Sequence, residues 1–333
     1  MEHRRLGDTD IEVPAIILGA WAIGGWMWGP QDHDDAIAAI RTSLDAGIDA
    51  IDTAAVYGFG RSEELLAEAI ADRPRDQIIL LTKFGLRWDH GGEGTVRFFE
   101  TKDLEGNTVS IYRFAGAESV ILECERSLRR LKTDYIDVFQ IHWPDDTTPV
   151  EETFGAIDKL IRDGKIRAVG VSNYTPELMD RAHKVTPLGS SQPPYSMVLR
   201  DAEQDVIPWC TEHNVGVIVY SPLQRGLLTG KIKPGYKFAD DDHRGENAFF
   251  QPQNVRRVNA FLDEIRPIAE SHNATLGQLA INWTVHRPGI TAALVGARNP
   301  KQAAENARAL DFQLTTEETK RINDLLERLE IER

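Results

Sequence analysis

Tyr135-Ile-Asp-Val-Phe-Gln-Ile-His142 is an apolar run of strand length that ends on an imidazole. Two earlier runs have the same form, Ile48-Asp-Ala-Ile-Asp52 and Gln77-Ile-Ile-Leu-Leu-Thr-Lys83. Such runs, separated by longer segments of helical period, are typical of βα units and a parallel sheet. Because the downstream ends of parallel strands meet at one rim, we expect the side chains that end these runs to converge.

Eight runs of this kind predict an α/β fold, a closed (β/α)₈ TIM barrel with an N-terminal β-hairpin, extra helices and an insert after the third strand. Barrels of this length commonly form one unit, so residues 1–333 are expected to be a single domain. The predicted strands are Ala15–Ala20, Ile48–Thr53, Gln77–Phe84, Tyr135–His142, Ile166–Asn173, Ser190–Tyr195, Val215–Pro222 and Thr291–Ala297. The sixth is the weakest, because Pro193 and Pro194 cannot donate ladder hydrogen bonds.

Two long stretches do not fit the minimal repeat. Trp88–Gly116 contains apolar segments on either side of Asp103–Thr108, which predicts a hairpin insert. Functional barrels place such inserts over the active face. Gly235–Asn254 is polar and Asp-rich, and is expected to form a mobile loop before an extra helix at Val255–Ser271.

The composition excludes several classes of protein. With 41% hydrophobic and 27% charged residues the chain is of ordinary globular composition. The 52 acidic and 38 basic residues give a net charge of −14, which repels nucleic acids and anionic membranes. The start lacks a secretory apolar segment, so we expect a cytoplasmic protein, with a monomer favoured over an oligomer. Cys124 and Cys210 have no metal-ligand spacing and are expected to be free buried thiols, and no metal site is predicted.

Helix start signals occur between the predicted strands. Thr148, Thr175 and Asn299 each stand directly before a proline, which is the pattern of an N-cap followed by proline at the first helical position. We therefore expect each of these three side chains to cap a helix.

Asp52, Tyr57, Lys83 and His142 together could donate a proton to a carbonyl oxygen. A phenol is a poor acid at neutral pH, so a catalytic tyrosine needs a nearby cation. Lys83 ends an apolar strand, where it would lose its proton unless a carboxylate such as Asp52 compensated. Lys83 is expected to lower the pKa of Tyr57, and His142 to orient and polarise the carbonyl. Taken singly, each residue fits an ordinary structural role better, but convergence at one rim favours the catalytic hypothesis.

The ends of the last two strands suggest a phosphate-binding site. Strand eight runs through Gly296-Ala-Arg298-Asn-Pro300 directly into a helix, and barrels often hold phosphates at this place. Tyr220, after strand seven, could stack on a flat ring. Arg298 suits a 2′-phosphate and favours NADPH over NADH. The alternative is that it is a surface side chain at a helix start without a binding role.

Four motifs resemble the signatures of the aldo-keto reductase superfamily: Gly19–Gly25, Asp52–Gly58, Gly164–Asn173 and Gly226–Lys231. The resemblance covers nearly the whole chain and looks closest to the bacterial branch of general stress aldo-keto reductases. It implies a (β/α)₈ barrel that reduces aldehydes or ketones with NADPH, with NADP⁺ as the product. Ala20 stands where many members have threonine or serine, which puts one ribose or pyrophosphate contact in doubt.

The resemblance also implies a set of site residues. The catalytic tetrad falls on Asp52, Tyr57, Lys83 and His142. The implied cofactor-binding residues are Trp21, Ser172, Asn173, Gln192, Tyr220, Ser221, Leu223, Arg225, Gly226, Gly296, Arg298, Gln302, Glu305 and Asn306. Possible substrate-pocket walls are Trp28, Trp88 and Trp143.

Two other functions stay open at this point. One is a redox-sensing protein that holds a nicotinamide cofactor tightly and turns over slowly. The other is a Schiff-base lyase built on Lys83, against which Asp52 argues because it keeps the amine charged. The expected partner is a small carbonyl compound, and a sugar, a steroid-like ketone, a toxic aldehyde or a plant or fungal metabolite are all compatible with the sequence.

Overall fold

Strands and helices alternate along the chain in this computed structural model, which describes residues 1–91, 95–239 and 242–333. The strands are β1 (His3–Arg5), β2 (Glu12–Pro14), β3 (Ile16–Gly19), β4 (Ala50–Asp52), β5 (Ile79–Phe84), β6 (Leu86–Arg87), β7 (Val96–Lys102), β8 (Thr108–Arg113), β9 (Ile136–Ile141), β10 (Ile166–Ser172), β11 (Leu188–Gln192), β12 (Gly216–Val219) and β13 (Ala292–Gly296). The α-helices are α1 (His33–Asp45), α2 (Arg61–Ala69), α3 (Ala117–Leu131), α4 (Val150–Arg162), α5 (Pro176–Val185), α6 (Val206–Glu212), α7 (Pro252–Ser271), α8 (Leu276–Val285), α9 (Pro300–Ala307) and α10 (Thr316–Glu327). Short 3₁₀ helices lie at Ala22–Gly24, Arg75–Gln77, Asp201–Glu203, Gln224–Thr229, Ala248–Phe250 and Arg308–Leu310.

The predicted closed barrel is confirmed. Strands β3, β4, β5 and β9 to β13 pair in parallel in chain order, and β13 pairs back with β3. The sixth barrel strand ends at Gln192 rather than at Tyr195, because the two prolines that follow lack backbone N–H groups. Tyr195 still donates its backbone N–H to the carbonyl of Tyr220 at 3.0 Å. The other strands differ from their predicted bounds by a few residues at the ends.

The hairpin of β1 and β2 closes the amino-terminal end of the barrel. Leu6, Ile11 and Val13 are fully buried and pack with the inward-facing residues of the barrel strands. Gly7 makes the turn possible, because its φ is +57° and a Cβ there would lie 2.5 Å from the carbonyl oxygen of Asn214. The carboxyl-terminal rim is therefore the end of the barrel left for a ligand.

Two of the three predicted helix caps are confirmed. The Thr175 side chain accepts from the backbone N–H of Leu178, and that of Asn299 accepts from Gln302. The expectation for Thr148 was wrong, because its hydroxyl donates instead to the Asp145 carboxylate at 2.7 Å. Helix α4 consequently begins after Pro149 without a side-chain cap.

The predicted insert after the third barrel strand is a small antiparallel sheet with the strand order β6-β8-β7. Its turn lies between β7 and β8, as expected from the residues around Asp103–Thr108. Part of each non-repeating stretch, residues 92–94 and 240–241, lies outside the described residues. In the second stretch Phe249 and Phe250 are buried, and helix α7 begins at Pro252, three residues before its predicted start. The mobility expected of that stretch stays a prediction.

The cysteine prediction is confirmed, since Cys124 and Cys210 are both buried and free. Burial raises the pKa of each thiol to about 12, so both are unreactive as nucleophiles at neutral pH. Within the described parts of the chain, none of the helices combines the length and the apolarity needed to cross a membrane.

Candidate active site

A cavity of about 760 Å³ opens at the carboxyl-terminal rim of the barrel. Strands β4, β10, β11 and β13 end in residues that line it, which is why separate parts of the sequence meet there. The predicted site residues in its lining are Trp21, Trp28, Asp52, Tyr57, His142, Trp143, Ser172, Asn173, Gln192, Tyr220, Ser221, Leu223, Arg225, Gly226, Gly296, Arg298, Gln302, Glu305 and Asn306.

Two predicted site residues do not line the cavity. Lys83 lies beneath its surface with 1% of its side chain exposed, and its Nζ is 5.1 Å from the centroid of the Tyr57 ring. Trp88 packs edge-on against Phe59, with 5.7 Å between the ring centroids. The structure therefore keeps Lys83 close to Tyr57 but does not bring Trp88 to the substrate pocket, because its indole is used in aromatic packing.

A fully buried polar network surrounds Asp52. One carboxylate oxygen accepts from Lys83 Nζ, which also donates to the carbonyl oxygen of Thr53 at 2.9 Å. The other oxygen accepts from the amide nitrogens of Gln140 and Gln192, each at 2.9 Å. A buried ion pair is tolerated only when its remaining hydrogen-bonding capacity is met, and the two glutamines meet that of the carboxylate.

Gln140 is a site residue that the sequence reasoning missed. Its Oε1 accepts from Gln192 Nε2 at 3.0 Å, so it connects Gln192 with Asp52. Both side-chain amide protons of Gln192 are thereby used inside the barrel. Its side-chain oxygen, Oε1, is the atom of the amide that remains for a ligand. A signal existed, because a glutamine two residues before His142 lies on the same side of the strand.

The Tyr57 phenol is protonated at neutral pH. Burial raises its pKa well above 10, and the negative charge of Asp52 raises it further. The net shift is therefore opposite to the lowering expected from Lys83, because burial and the Asp52 carboxylate are the causes that dominate it. Burial also lowers the pKa of Lys83, an effect that Asp52 opposes. A protonated phenol is nevertheless the form that a proton donor requires.

His142 lies beside Tyr57, with 5.5 Å between the ring centroids and 81° between the planes. Burial and the nearby charge of Lys83 hold the pKa of His142 well below 6.5. The imidazole is thus neutral at physiological pH and carries one N–H that can donate to a carbonyl oxygen. Its backbone carbonyl accepts from Asn173 Nδ2 at 3.0 Å, which ties the ends of β9 and β10 together.

A second network, which adjoins the first at Gln192, also lines the cavity. The Tyr220 hydroxyl donates to Asn173 Oδ1, and Asn173 Nδ2 donates to Ser172 Oγ, both at 3.0 Å. Ser172 in turn donates to the backbone carbonyl of Gln192 at 3.0 Å. Burial raises the pKa of Tyr220 to about 12, so its hydroxyl stays a donor and its ring is held in one orientation.

Several non-glycine residues in the cavity lining have a left-handed backbone, among them Asn173, Ser221 and Arg225, and so does Gln224 next to Arg225. The φ angles are 61° at Asn173, 61° at Ser221, 45° at Gln224 and 54° at Arg225. Each such residue costs on the order of 1 kcal/mol and persists only where the surroundings impose it. At Gln224, for example, the buried side chain accepts from Ser196 Oγ at 2.9 Å. This part of the cavity floor is therefore bent by its own contacts.

Three arginines line the cavity in a chain that carries a net charge of −14. Arg244 is paired with Asp242, whereas the Arg225 guanidinium has no hydrogen-bond acceptor among the described residues. Arg298 donates from Nε to Gln31 Oε1 at 2.9 Å and from its terminal nitrogens to the carbonyls of Trp28 and Pro30. Three of its five N–H groups are thus used, and two remain for a phosphate. This concentration of positive charge favours an anionic ligand.

Three buried ring nitrogens in the lining have no hydrogen-bond partner in the described part of the chain: Trp21 Nε1, Trp28 Nε1 and His243 Nε2. Their rings are 4.7 to 5.5 Å apart. The other nitrogen of His243 points at the carbonyl oxygen of Met27 at 2.8 Å, so it carries the proton and Nε2 is an acceptor. Two donors and an acceptor suit a ligand that bears both phosphates and hydroxyls, such as a dinucleotide.

Glu123 supports the strand that carries Lys83. Its carboxylate accepts from the backbone N–H of Gly85 and from the Ser119 hydroxyl, both at 3.1 Å. Burial raises the pKa of this carboxyl to about 7, against an ordinary value of 4.5. The folded chain therefore retains a proton between pH 4.5 and 7 that the unfolded chain releases, so the free energy of unfolding falls as pH rises through this window.

We expect Glu123→Gln to remove this loss of stability. At about 1.4 kcal/mol per pH unit, the wild type loses about 3 kcal/mol of unfolding free energy across this window. The variant should therefore be more stable than the wild type by nearly that amount at pH 8, and the difference should nearly disappear at pH 5. Urea unfolding at several pH values measures the difference. Glu118→Gln, at an exposed position of the same helix, is the control and should show no such trend. A gain for Glu123→Gln that does not depend on pH would contradict the assignment.

The fold and the polar cavity place the chain among (β/α)₈-barrel enzymes, and residues 15–327 match the model of the aldo/keto reductase family. The chain belongs to this family. It is accordingly an oxidoreductase that acts on carbonyl compounds with a nicotinamide cofactor.

Individual relatives extend over almost the whole chain. It is 39% identical to the aldo-keto reductase YhdN of Bacillus subtilis, covering 98% of this chain and 94% of the relative. It is 34% identical to the NADH-specific methylglyoxal reductase of Escherichia coli, covering 99% and 100%. The structure of the glycerol dehydrogenase AKR11B4 from Gluconobacter oxydans matches with a TM-score of 0.87 at 39% identity, covering 98% of this chain and 95% of that one.

Proposed function

We propose that the protein is an NADPH-dependent carbonyl reductase in which Tyr57 donates the proton. Reduced nicotinamide bound in the cavity would supply the hydride, and Tyr57 would give its phenolic proton to the carbonyl oxygen of the substrate, so that an alcohol and NADP⁺ would result. The observation that carries the proposal is a protonated phenol beside a buried ammonium and a neutral imidazole at one cavity. Turnover of aldehydes by the wild type and by Tyr57→Phe tests it, as developed in the Discussion.

The neighbours of Tyr57 have separate roles in this proposal. The charge of Lys83 stabilises the phenolate that remains after proton transfer, until solvent returns a proton. Asp52 keeps Lys83 charged despite its burial. His142 donates a hydrogen bond to the carbonyl oxygen, so it favours the form of the substrate in which negative charge develops there.

The preference for NADPH rests on Arg298. Arg298 lines the cavity two residues before helix α9, and a 2′-phosphate there would accept from its two remaining N–H groups. A carbonyl reductase of this family need not use NADPH, since the Escherichia coli relative is named as NADH-specific. The proposed residues on this side are Gly296, Arg298, Gln302, Glu305 and Asn306.

Arg298→Ala should raise KM for NADPH by about 10- to 100-fold, because a hydrogen bond to a charged group contributes about 1.5–3 kcal/mol. KM for NADH should change by less than about 3-fold, since NADH lacks the 2′-phosphate. Steady-state kinetics with both cofactors measures this. Gln31→Ala, which loosens the same loop without removing the charge, is the control. Equal losses with the two cofactors would show that Arg298 only holds the loop.

The rival functions make different demands on the site. A Schiff-base lyase needs an accessible amine, but Lys83 is 1% exposed and donates to Asp52 and Thr53. The redox-sensing alternative predicts tight cofactor binding with slow turnover, so fast multiple turnover with excess NADPH would exclude it. We further propose that the partner is a small carbonyl compound and that the protein acts as a monomer.

A further inference from the structure

One wall of the cavity comes from the insert rather than from the barrel. Phe98 and Phe99 of β7 line it next to Tyr57 and His142. Phe98 packs on Trp143, with 5.2 Å between the ring centroids. Phe99 stacks on Trp26 with centroids 6.2 Å apart and 17° between the planes. Neither phenylalanine was predicted as a site residue.

The hairpin that carries these rings is held in place from both sides. Trp26 donates from its indole nitrogen to Thr101 Oγ1 at 3.0 Å. Arg113 donates to the Asp146 carboxylate at 2.9 Å, and its guanidinium carbon lies 5.2 Å from the centroid of the Phe98 ring. The aromatic wall is therefore a positioned part of the cavity, since each of its strands is bound to the barrel side.

The lining residues differ in chemical character. The unpartnered ring nitrogens and the three lining arginines all lie outside the insert in sequence. The insert itself contributes the apolar residues Leu86, Phe98 and Phe99, and Met27 and Val56 belong to the same hydrophobic cluster. A hydroxyl-rich substrate would lose hydrogen bonds to water against such a wall, whereas a flat apolar group would gain contact with several rings.

We propose that the substrate is a carbonyl compound attached to an aromatic or similarly flat apolar group, and that Phe98 and Phe99 determine this preference. The inference rests on the proposed carbonyl reductase function. The proposed substrate differs in character from glycerol and methylglyoxal, the small polar compounds to which the names of two relatives refer.

Kinetics with two aldehydes of opposite character tests the proposal. Phe98→Ala and Phe99→Ala should each lower kcat/KM for 2-naphthaldehyde by about 10-fold, as expected for the loss of one ring contact with its buried area. For glyceraldehyde, kcat/KM should stay within about 2-fold of the wild type. Equal losses with both aldehydes, or no loss with either, would overturn the proposal.

Two further variants control for damage to the fold. Leu104→Ala changes a residue that is 40% exposed in the turn of the same hairpin, and should leave both kcat/KM values unchanged. Phe98→Leu keeps apolar volume without a ring, and should give an intermediate loss with 2-naphthaldehyde alone. NADPH binding, followed by fluorescence, should be the same in all four variants, because the rings that pack on the cavity arginines Arg225 and Arg244 are those of Trp21, Trp28 and Phe238.

A binding measurement separates the two proposals. 2-Naphthalenemethanol carries the same ring system but no carbonyl, and quenching of tryptophan fluorescence reports its affinity. Binding that weakens about 10-fold in Phe98→Ala, in a protein that reduces no aldehyde, would support the aromatic pocket and refute the proposed reductase. Reduction of glyceraldehyde without measurable binding of 2-naphthalenemethanol would support the proposed reductase and refute the aromatic pocket.

Discussion

Tyr57→Phe is expected to lower kcat for carbonyl reduction by about 10²- to 10⁴-fold, with NADPH affinity unchanged. The substitution removes the phenolic O–H and leaves the ring that packs between Trp21 and His142. Without that proton the developing alkoxide has only the His142 hydrogen bond. Stopped-flow measurement of NADPH oxidation gives the rate, and fluorescence titration gives the cofactor affinity.

The control for this prediction is Tyr195→Phe. Tyr195 is also buried and donates its hydroxyl to Glu203, but it does not line the cavity. Its loss should affect stability and leave kcat within about 2-fold of the wild type, since Tyr195 lies outside the cavity. Residual activity of Tyr57→Phe near the wild-type level would remove tyrosine from the mechanism.

The pH dependence of the reaction follows from the raised pKa of Tyr57. The phenol is protonated throughout the physiological range, so reduction should fall only at strongly alkaline pH. In the proposed mechanism, oxidation of the alcohol uses the Tyr57 phenolate as a base, so we expect it to become faster as pH rises. His142 stays neutral over the same range because its pKa is well below 6.5.

Lys83→Met should lower the free energy of unfolding by about 3–5 kcal/mol, because it leaves the buried Asp52 carboxylate without its charge partner. Carbonyl reduction should be lost as well, since no cation remains to stabilise the Tyr57 phenolate. Guanidinium unfolding and NADPH oxidation measure the two effects separately.

A matched surface pair is the control for Lys83. Lys159 forms an ion pair with Asp163, with the two side chains 55% and 37% exposed, so Lys159→Met should cost less than about 1 kcal/mol. The double variant Asp52→Leu with Lys83→Met should recover part of the stability, because no buried charge is left unpaired. Similar small costs for both lysine variants would mean that water or another group compensates Asp52.

The barrel could be predicted because its information is local. Each strand is an apolar run between helical segments, and parallel strands bring their ends to one rim whatever the details of packing. The strand that fitted worst, around Ser190–Tyr195, is also the one whose end moved, because prolines stop the ladder there. The insert could be recognised as a hairpin from its sequence. Its position on the barrel rim could not, because that position depends on long-range contacts with Trp26 and Asp146.

Site residues could be predicted from the sequence where they stand at the ends of barrel strands, and less well where they come from loops or the insert. Gln140 carried a readable signal, as a polar residue inside a buried strand and on the same side as His142. Phe98 and His243 come from long segments whose course is set by tertiary packing. The direction of the Tyr57 pKa was missed because burial of the phenol, which dominates it, is a property of the folded cavity.

The left-handed backbone at Asn173, Ser221, Gln224 and Arg225 bears on how fast the cofactor exchanges. A loop that must first fold around its ligand slows association and weakens affinity by the entropy of ordering. Here contacts within the chain, such as that of Gln224 with Ser196, support the curvature, so we expect capture of the dinucleotide to be governed by diffusion and by attraction to the arginines. Tight binding would then result from slow dissociation, and release of the oxidised cofactor would be the rate-limiting step of the catalytic cycle.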